Sequence, residues 1–173
     1  VPEAERLTRT SIALMRSLRT TLQNLRPPEI EDFGLAASLS ALARDQERAA
    51  EGRLAIALEL DGDLNELPPT AAAHVYRIVQ EGLTNIGKHA EAQRARIALQ
   101  LRPASLDQVG CPRRWLSLTI ENDGCAAVGT GKGLGLIGMR ERAMALGGQL
   151  DVVRVDDGFR LHAVIPFAAE AVA

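Results

Sequence analysis

The stretch VYRIVQEGLTNIGKHA, Val75 to Ala90, reads as one amphipathic helix with an odd arrangement of polar residues. Glu81, Asn85 and then Lys88–His89 recur three to four residues apart, and helical neighbours at those spacings share a face. An acid, an amide and two bases therefore line one side of an otherwise apolar helix. Such a row is either a solvated face or the wall of a polar cleft.

Upstream, Pro68–Pro69 can start this helix after the turn-rich DGDLNELPPT. RLAIALEL before it alternates as a strand, with Leu54, Ile56, Leu58 and Leu60 apolar. A further helix is predicted from about Leu35 to Ala50, ending at Gly52. Residues from about 3 to 25 read as another helix, with Leu7, Leu14, Leu18 and Leu25 in near-heptad rhythm. Pro27–Pro28 closes it, and its narrow leucine seam suits a helix that pairs with other helices.

Downstream, RARIALQL and WLSLTIEN alternate as strands on either side of a predicted loop, RPASLDQVGCPRR. A helix is predicted from about Leu136 to Leu146, stopped by Gly147–Gly148. QLDVVRVDDGFRLHAVIPF closes the chain as a hairpin turning at Asp157–Gly158. Strands adjacent in sequence favour antiparallel pairing with the helices gathered on one face. The expected fold is therefore α+β, a two-layer α/β sandwich.

Bulk properties narrow the function classes. With 173 residues the chain holds one ordinary domain plus an appendage, and 46% hydrophobic residues supply a sizeable core. Twenty basic against 22 acidic residues give a net charge of −2, so nothing electrostatic points to nucleic acid or an anionic membrane. No apolar run approaches the roughly 20 residues that span a bilayer. VPEAERLTRTS has neither an initiator Met nor a signal-peptide core and reads as the start of a fragment cut from something longer. Cys111 and Cys125, without C-x-x-C spacing, read as reduced thiols in a cytosolic setting. His74, His89 and His162 lack metal-ligand spacing.

The glycine-rich stretch ENDGCAAVGTGKGLGLIGMRERAMALGG admits several readings. Gly133, Gly135 and Gly138 match G-x-G-x-x-G literally, but a dinucleotide fingerprint should directly follow a strand in a βαβ unit, and here a loop intervenes. AAVGTGKG approaches a phosphate-binding loop, yet Ala126 stands where its first glycine belongs and Gly133 where a Ser or Thr would hold magnesium. The glycines could also simply shape a turn.

Taken together with the opening helix, the stretch resembles the ATP-binding domain shared by gyrase, heat-shock chaperones of the Bergerat fold, mismatch-repair ATPases and histidine kinases. Sensor histidine kinases of the nitrate-sensor type are the nearest likeness. YRIVQEGLTNIGKHA looks like their N box, NDG like the first glycine box, and GKGLGLIGMRERAMALGG like the second with its trailing helix. LRPPEIEDFGL resembles the junction between dimerisation hairpin and catalytic domain. The motifs occur in the family's order along nearly the whole chain.

The resemblance implies that residues 1–26 are the second helix of a dimerisation hairpin and residues 27–173 the catalytic domain. It implies that Glu81 orients or deprotonates the attacking group and that Asn85 holds Mg²⁺ through its amide oxygen, a ligand suited to a hard cation. Lys88 and His89 would face the phosphates of ATP. Asn122, Asp123 and Gly124 would lie at the adenine. Gly131, Lys132, Gly133, Leu134, Gly135 and Leu136 would form the second glycine box, whose N–H groups and following helix make an anion site. Leu134 and Leu136 are expected to anchor that loop to the core.

Three positions depart from the family pattern: Asn122 stands for an Asp at the adenine amino group, Ala126 for a Gly, and Phe159 for a Thr. A neutral acceptor is usually the weaker one, so Asn122→Asp is expected to tighten ATP. No His precedes His74, so the phosphoacceptor of the family is expected to lie outside this chain. The implied activity is transfer of the ATP γ-phosphoryl group to a His for relay to an Asp of a response regulator. The implied partners are that regulator and the dimerisation helices of a homodimer, with no nucleic acid or membrane contact by this segment. The implied place is cytoplasmic, whether or not the intact protein is membrane-anchored. An anti-sigma-type serine kinase and a non-catalytic interaction module are the alternatives.

Overall fold

The computed structural model describes residues 28–106, 112–124, 134–155 and 158–168. The predicted N-terminal helix with its leucine seam lies outside them, as do both cysteines, Ala126, Gly131, Lys132 and Gly133. Helix α1 (Pro28–Ala49) leads into strand β1 (Ala55–Asp61), helix α2 (Pro69–His89), and strands β2 (Arg94–Leu106) and β3 (Pro112–Asn122). Helix α3 (Leu134–Ala145) and strands β4 (Gln149–Val155) and β5 (Gly158–Ala168) follow.

Helix α1 begins earlier than Leu35, at Pro28, where a missing amide hydrogen costs nothing. It is interrupted at Gly34, whose φ of 76° and ψ of 168° belong to a region that only glycine enters readily. Ser38 Oγ donates to the Gly34 carbonyl across the kink at 2.7 Å. The helix predicted from Leu35 is thus the longer arm of a bent one.

The sheet order is β1-β2-β3-β5-β4. Strands β2, β3, β5 and β4 pair antiparallel, as expected of neighbours, but β1 runs parallel to β2. Helix α2 lies between them in sequence, and a crossover helix returns the chain to the same end of the sheet, which makes the pair parallel. The loop predicted after Leu101 is shorter than expected: β2 continues to Leu106 and β3 starts at Pro112, with a register shift between Arg102 and Ser105.

Alternation along the strands sorts the two faces. Ile97 and Leu99 of β2, Leu116, Leu118 and Ile120 of β3, and Leu161 and Ile165 of β5 are buried against Val75, Ile78, Val79 and Leu83 of α2 and Met139 of α3. The opposite face of the sheet carries charge. Arg96 bridges Glu59 at 2.6 Å and approaches Glu121 at 3.7 Å, and Glu121 also accepts from Arg160. Unlike charges thus alternate across β1, β2, β3 and β5. Arg96 draws the Glu59 carboxyl below its usual range, through its hydrogen bond first. No helix among the described residues is long and apolar enough to cross a membrane.

Candidate functional site

Helix α2 starts as predicted, with Pro69 in its first turn, and ends where Ala90 N–H donates to Ile86 O at 3.0 Å. Val75, Ile78, Val79, Leu83 and Ile86 face the core. Glu81 and Asn85 are half-buried, whereas Lys88 is exposed. The backbone of His89 ends the helix. The polar row is therefore not one solvated face: its Glu81–Asn85 part is partly covered.

Part of what covers it is α3. A Cβ placed on Gly135, in the first turn of α3, would overlap Glu81 Oε1 and lie 3.0 Å from Cδ. Two motifs 54 positions apart in sequence (135 − 81) thus meet in space. Further along, Arg142 of α3 acts on His74 of α2, so the helices run antiparallel. Burial, then the Arg142 charge, hold the His74 imidazole below its usual pKa. Leu136 is half-buried and packs on the core, but Leu134 is 70% exposed. Leu134 therefore does not anchor this segment; as the first residue of α3 it points to solvent.

The sheet end of the site is built on the same side. A Cβ on Gly82 would meet Ile120 Cδ1 at 2.7 Å, so α2 rests on β3 two residues before Asn122. Asn122 Nδ2 donates to Gly124 O at 2.6 Å. Asp123 is used otherwise than expected. Its Oδ1 accepts from the backbone N–H groups of Gln93 and Arg94, each at 2.9 Å, and its Oδ2 from Arg94 Nε at 2.9 Å. The Arg94 backbone bond is the largest cause that lowers its carboxyl pKa. Asp123 N–H returns a bond to Arg94 O at 3.1 Å. A Cβ on Gly124 would lie 2.6 Å from Ala92 Cα, so this glycine admits the α2–β2 connection.

Phe159 pairs with Asn122 across β3 and β5, and a Cβ on the adjacent Gly158 would overlap the Asn122 carbonyl oxygen. Asn122, Asp123 and Phe159 line an open cavity of about 830 Å³ at the strand ends, which reaches the charged face of the sheet at Arg96, Glu121 and Arg160. Glu81 and Asn85 do not line it. The expected residues thus fall into two groups, one at the α2–α3 contact and one at the end of β3. The contributions of Gln93, Arg94 and Ala92 were missed from the sequence. Their signal was an Asp–Gly pair directly after a strand, a common backbone-binding turn.

No family model matches the chain. The signal transduction histidine-protein kinase/phosphatase UhpB of Salmonella typhimurium is 34% identical over 160 residues, 90% of this chain and 29% of that protein. The sensor histidine kinase YxjM of Bacillus subtilis is 32% identical over 77% of this chain and 30% of its own length. The chain thus spans less than a third of these relatives. Among solved structures, the blue-light activated histidine kinase of Erythrobacter litoralis superposes with a TM-score of 0.55 at 26% identity, covering 79% of this chain and 42% of that one. A two-layer sandwich with a mixed five-stranded sheet under helices is the architecture of the Bergerat ATP-binding class. Within that class, the chain belongs to the catalytic domains of sensor histidine kinases.

Proposed function

We propose that residues 27–173 bind ATP and transfer its γ-phosphoryl group to a His on the dimerisation hairpin of the intact protein, for relay to an Asp of a response regulator. Residues 1–26 would be the second helix of that hairpin and would pair in a homodimer. The observation that carries this reading is the meeting of Glu81 with the first turn of α3 at Gly135. It joins the acid of the polar row to the helix that follows the glycine box, as a phosphoryl-transfer site between them requires. ATP would place the segment in the cytoplasm.

The residues present fit a magnesium nucleotide. Asn85 offers an amide oxygen from a half-buried position one turn beyond Glu81, and oxygen donors suit Mg²⁺, which keeps several waters and shares phosphate oxygens. Bound there, the ion would neutralise charge on the phosphates. Glu81 would orient the attacking imidazole or take its proton. The Gly135 backbone would come close to the phosphates. Asn122, its donor already committed to Gly124 O, would present its oxygen to an amino group of the base. Asp123 supports this turn from behind.

Calorimetry with a non-hydrolysable ATP analogue, with and without Mg²⁺, tests the reading. Wild-type protein is expected to bind in a Mg²⁺-dependent manner, and Asn85→Ala to lose that dependence. Failure of the wild type to bind the analogue, or unchanged Mg²⁺ dependence in Asn85→Ala, contradicts it.

A further inference from the structure

Among the described glycines, Gly135 is the one whose missing side chain is replaced by a carboxylate. Added Cβ atoms at Gly82, Gly124 and Gly158 would meet an isoleucine methyl or backbone, which is how close packing of elements usually excludes a side chain. At Gly135 the added atom would instead overlap Glu81 Oε1, with Cδ at 3.0 Å and Cγ at 3.4 Å. The whole end of the Glu81 side chain thus occupies the space above the first turn of α3. The φ of Gly135 is not among the positive values of the chain, so the backbone there is open to any residue. A side chain at this position is thus opposed by the Glu81 carboxylate alone, which would have to move aside.

We propose that Gly135 is a positioning residue for Glu81: the slot left by its absent side chain sets the rotamer in which the acid faces the transferring group. This rests on the assignment of Glu81 to phosphoryl transfer made above. A methyl group in the slot would turn the carboxylate aside without removing it. The acid would remain available in chemistry but be displaced in position, and a misplacement of about 1 Å can cost about 10²-fold in rate. Because the Gly135 backbone is also assigned to the phosphates, part of the loss falls on nucleotide affinity, but the part that runs through Glu81 does not. The effect through Glu81 belongs in kcat rather than in KM.

The test is a double-mutant cycle in the full chain, with a His-bearing dimerisation hairpin from a sensor kinase supplied as acceptor. Gly135→Ala is expected to slow transfer at saturating nucleotide by about 10²-fold, a larger fall than that in analogue affinity. Glu81→Asp shortens the acid by one methylene, which loses reach in the wild-type background but clears the added methyl. The double variant is therefore expected to transfer faster than Gly135→Ala alone, a non-additivity that mere loss of stability does not produce. Gly138→Ala on the same helix, where the added atom would lie 3.1 Å from Arg142 Nη1, the far end of a long side chain, serves as the control and is expected to behave as wild type.

Additive losses in the cycle, wild-type transfer by Gly135→Ala, or a fall in analogue affinity matching the fall in rate would each overturn the proposal. Glu81→Gln separates its failure from that of the underlying assignment. A slow Glu81→Gln with a fast Gly135→Ala removes only the positioning role, whereas wild-type transfer by Glu81→Gln removes both. Should Gly135→Ala not fold, Glu81→Asp is expected to restore folding in that background. A double variant that stays unfolded overturns the contact itself.

Discussion

The α2–α3 contact and the end of β3 are organised by different interactions. At the first, the Glu81 carboxylate lies in the space that a glycine leaves. At the second, Asp123 takes the backbone N–H groups of Gln93 in the α2–β2 connection and of Arg94 at the start of β2, and Gly124 lets that connection approach. One region places the acid proposed for phosphoryl transfer; the other fixes a backbone. The first should therefore be sensitive in rate and tolerant in stability, and the second the reverse.

The largest effect expected from this contrast is on chemistry. Glu81→Gln keeps the size of the side chain and removes its basicity, so transfer to a supplied His should fall by about 10²–10⁴-fold. Its urea midpoint should stay near wild type. Single-turnover transfer measured beside equilibrium unfolding checks both halves, and a variant that is fast or unstable breaks the comparison.

Gly124→Ala tests the other region. Its added atom meets the backbone of Ala92, which cannot rotate aside. Overpacking of this kind costs about 1–3 kcal/mol, to be read as a lowered urea midpoint with an unchanged slope. A midpoint equal to wild type would mean that the two segments can part freely.

Asp123→Ala should cost somewhat less, about 1–2 kcal/mol, from the loss of hydrogen bonds to a charged acceptor. The backbone bonds account for most of it, since the Arg94 side chain is 82% exposed and such an ion pair adds little. The sign of the pH dependence follows from the lowered carboxyl pKa. The contribution is present above the ordinary Asp value of about 3.9 and is lost as pH falls through the lower folded value. The gap between wild type and Asp123→Ala should therefore close only in acid, below about pH 4. A gap that is unchanged there would assign the effect to packing.

The smallest expected effect sharpens the boundary between the regions. A carboxylate at position 122 would face the Gly124 carbonyl that the Asn122 amide now binds at 2.6 Å. Charge at the acceptor, which favours tighter binding from the sequence alone, is thus opposed by repulsion and a lost donor. Asn122→Asp should weaken analogue binding by up to about 1 kcal/mol. Tighter binding would show that the turn yields more readily than its hydrogen bonds imply.

Much of the architecture was legible because it rests on local chemistry. The 3.6-residue rhythm of Val75, Ile78, Val79, Leu83 and Ile86, and the alternation of Leu116, Leu118 and Ile120, are properties of each element alone. Pro69 and Gly147 mark helix ends by fixing or freeing single backbone angles. The spacing of Glu81 and Asn85 likewise places them on one side of α2 before any packing is known. Partnership between distant segments was not local and so was decided only in three dimensions. The parallel pairing of β1 with β2, the exposure of Leu134 and the commitment of Asp123 to Gln93 and Arg94 depend on which surfaces come together. So does the meeting of Glu81 with Gly135, because a glycine carries no pattern of its own. Whether its missing side chain serves a turn or a neighbour depends on what the tertiary fold brings within about 4 Å of it.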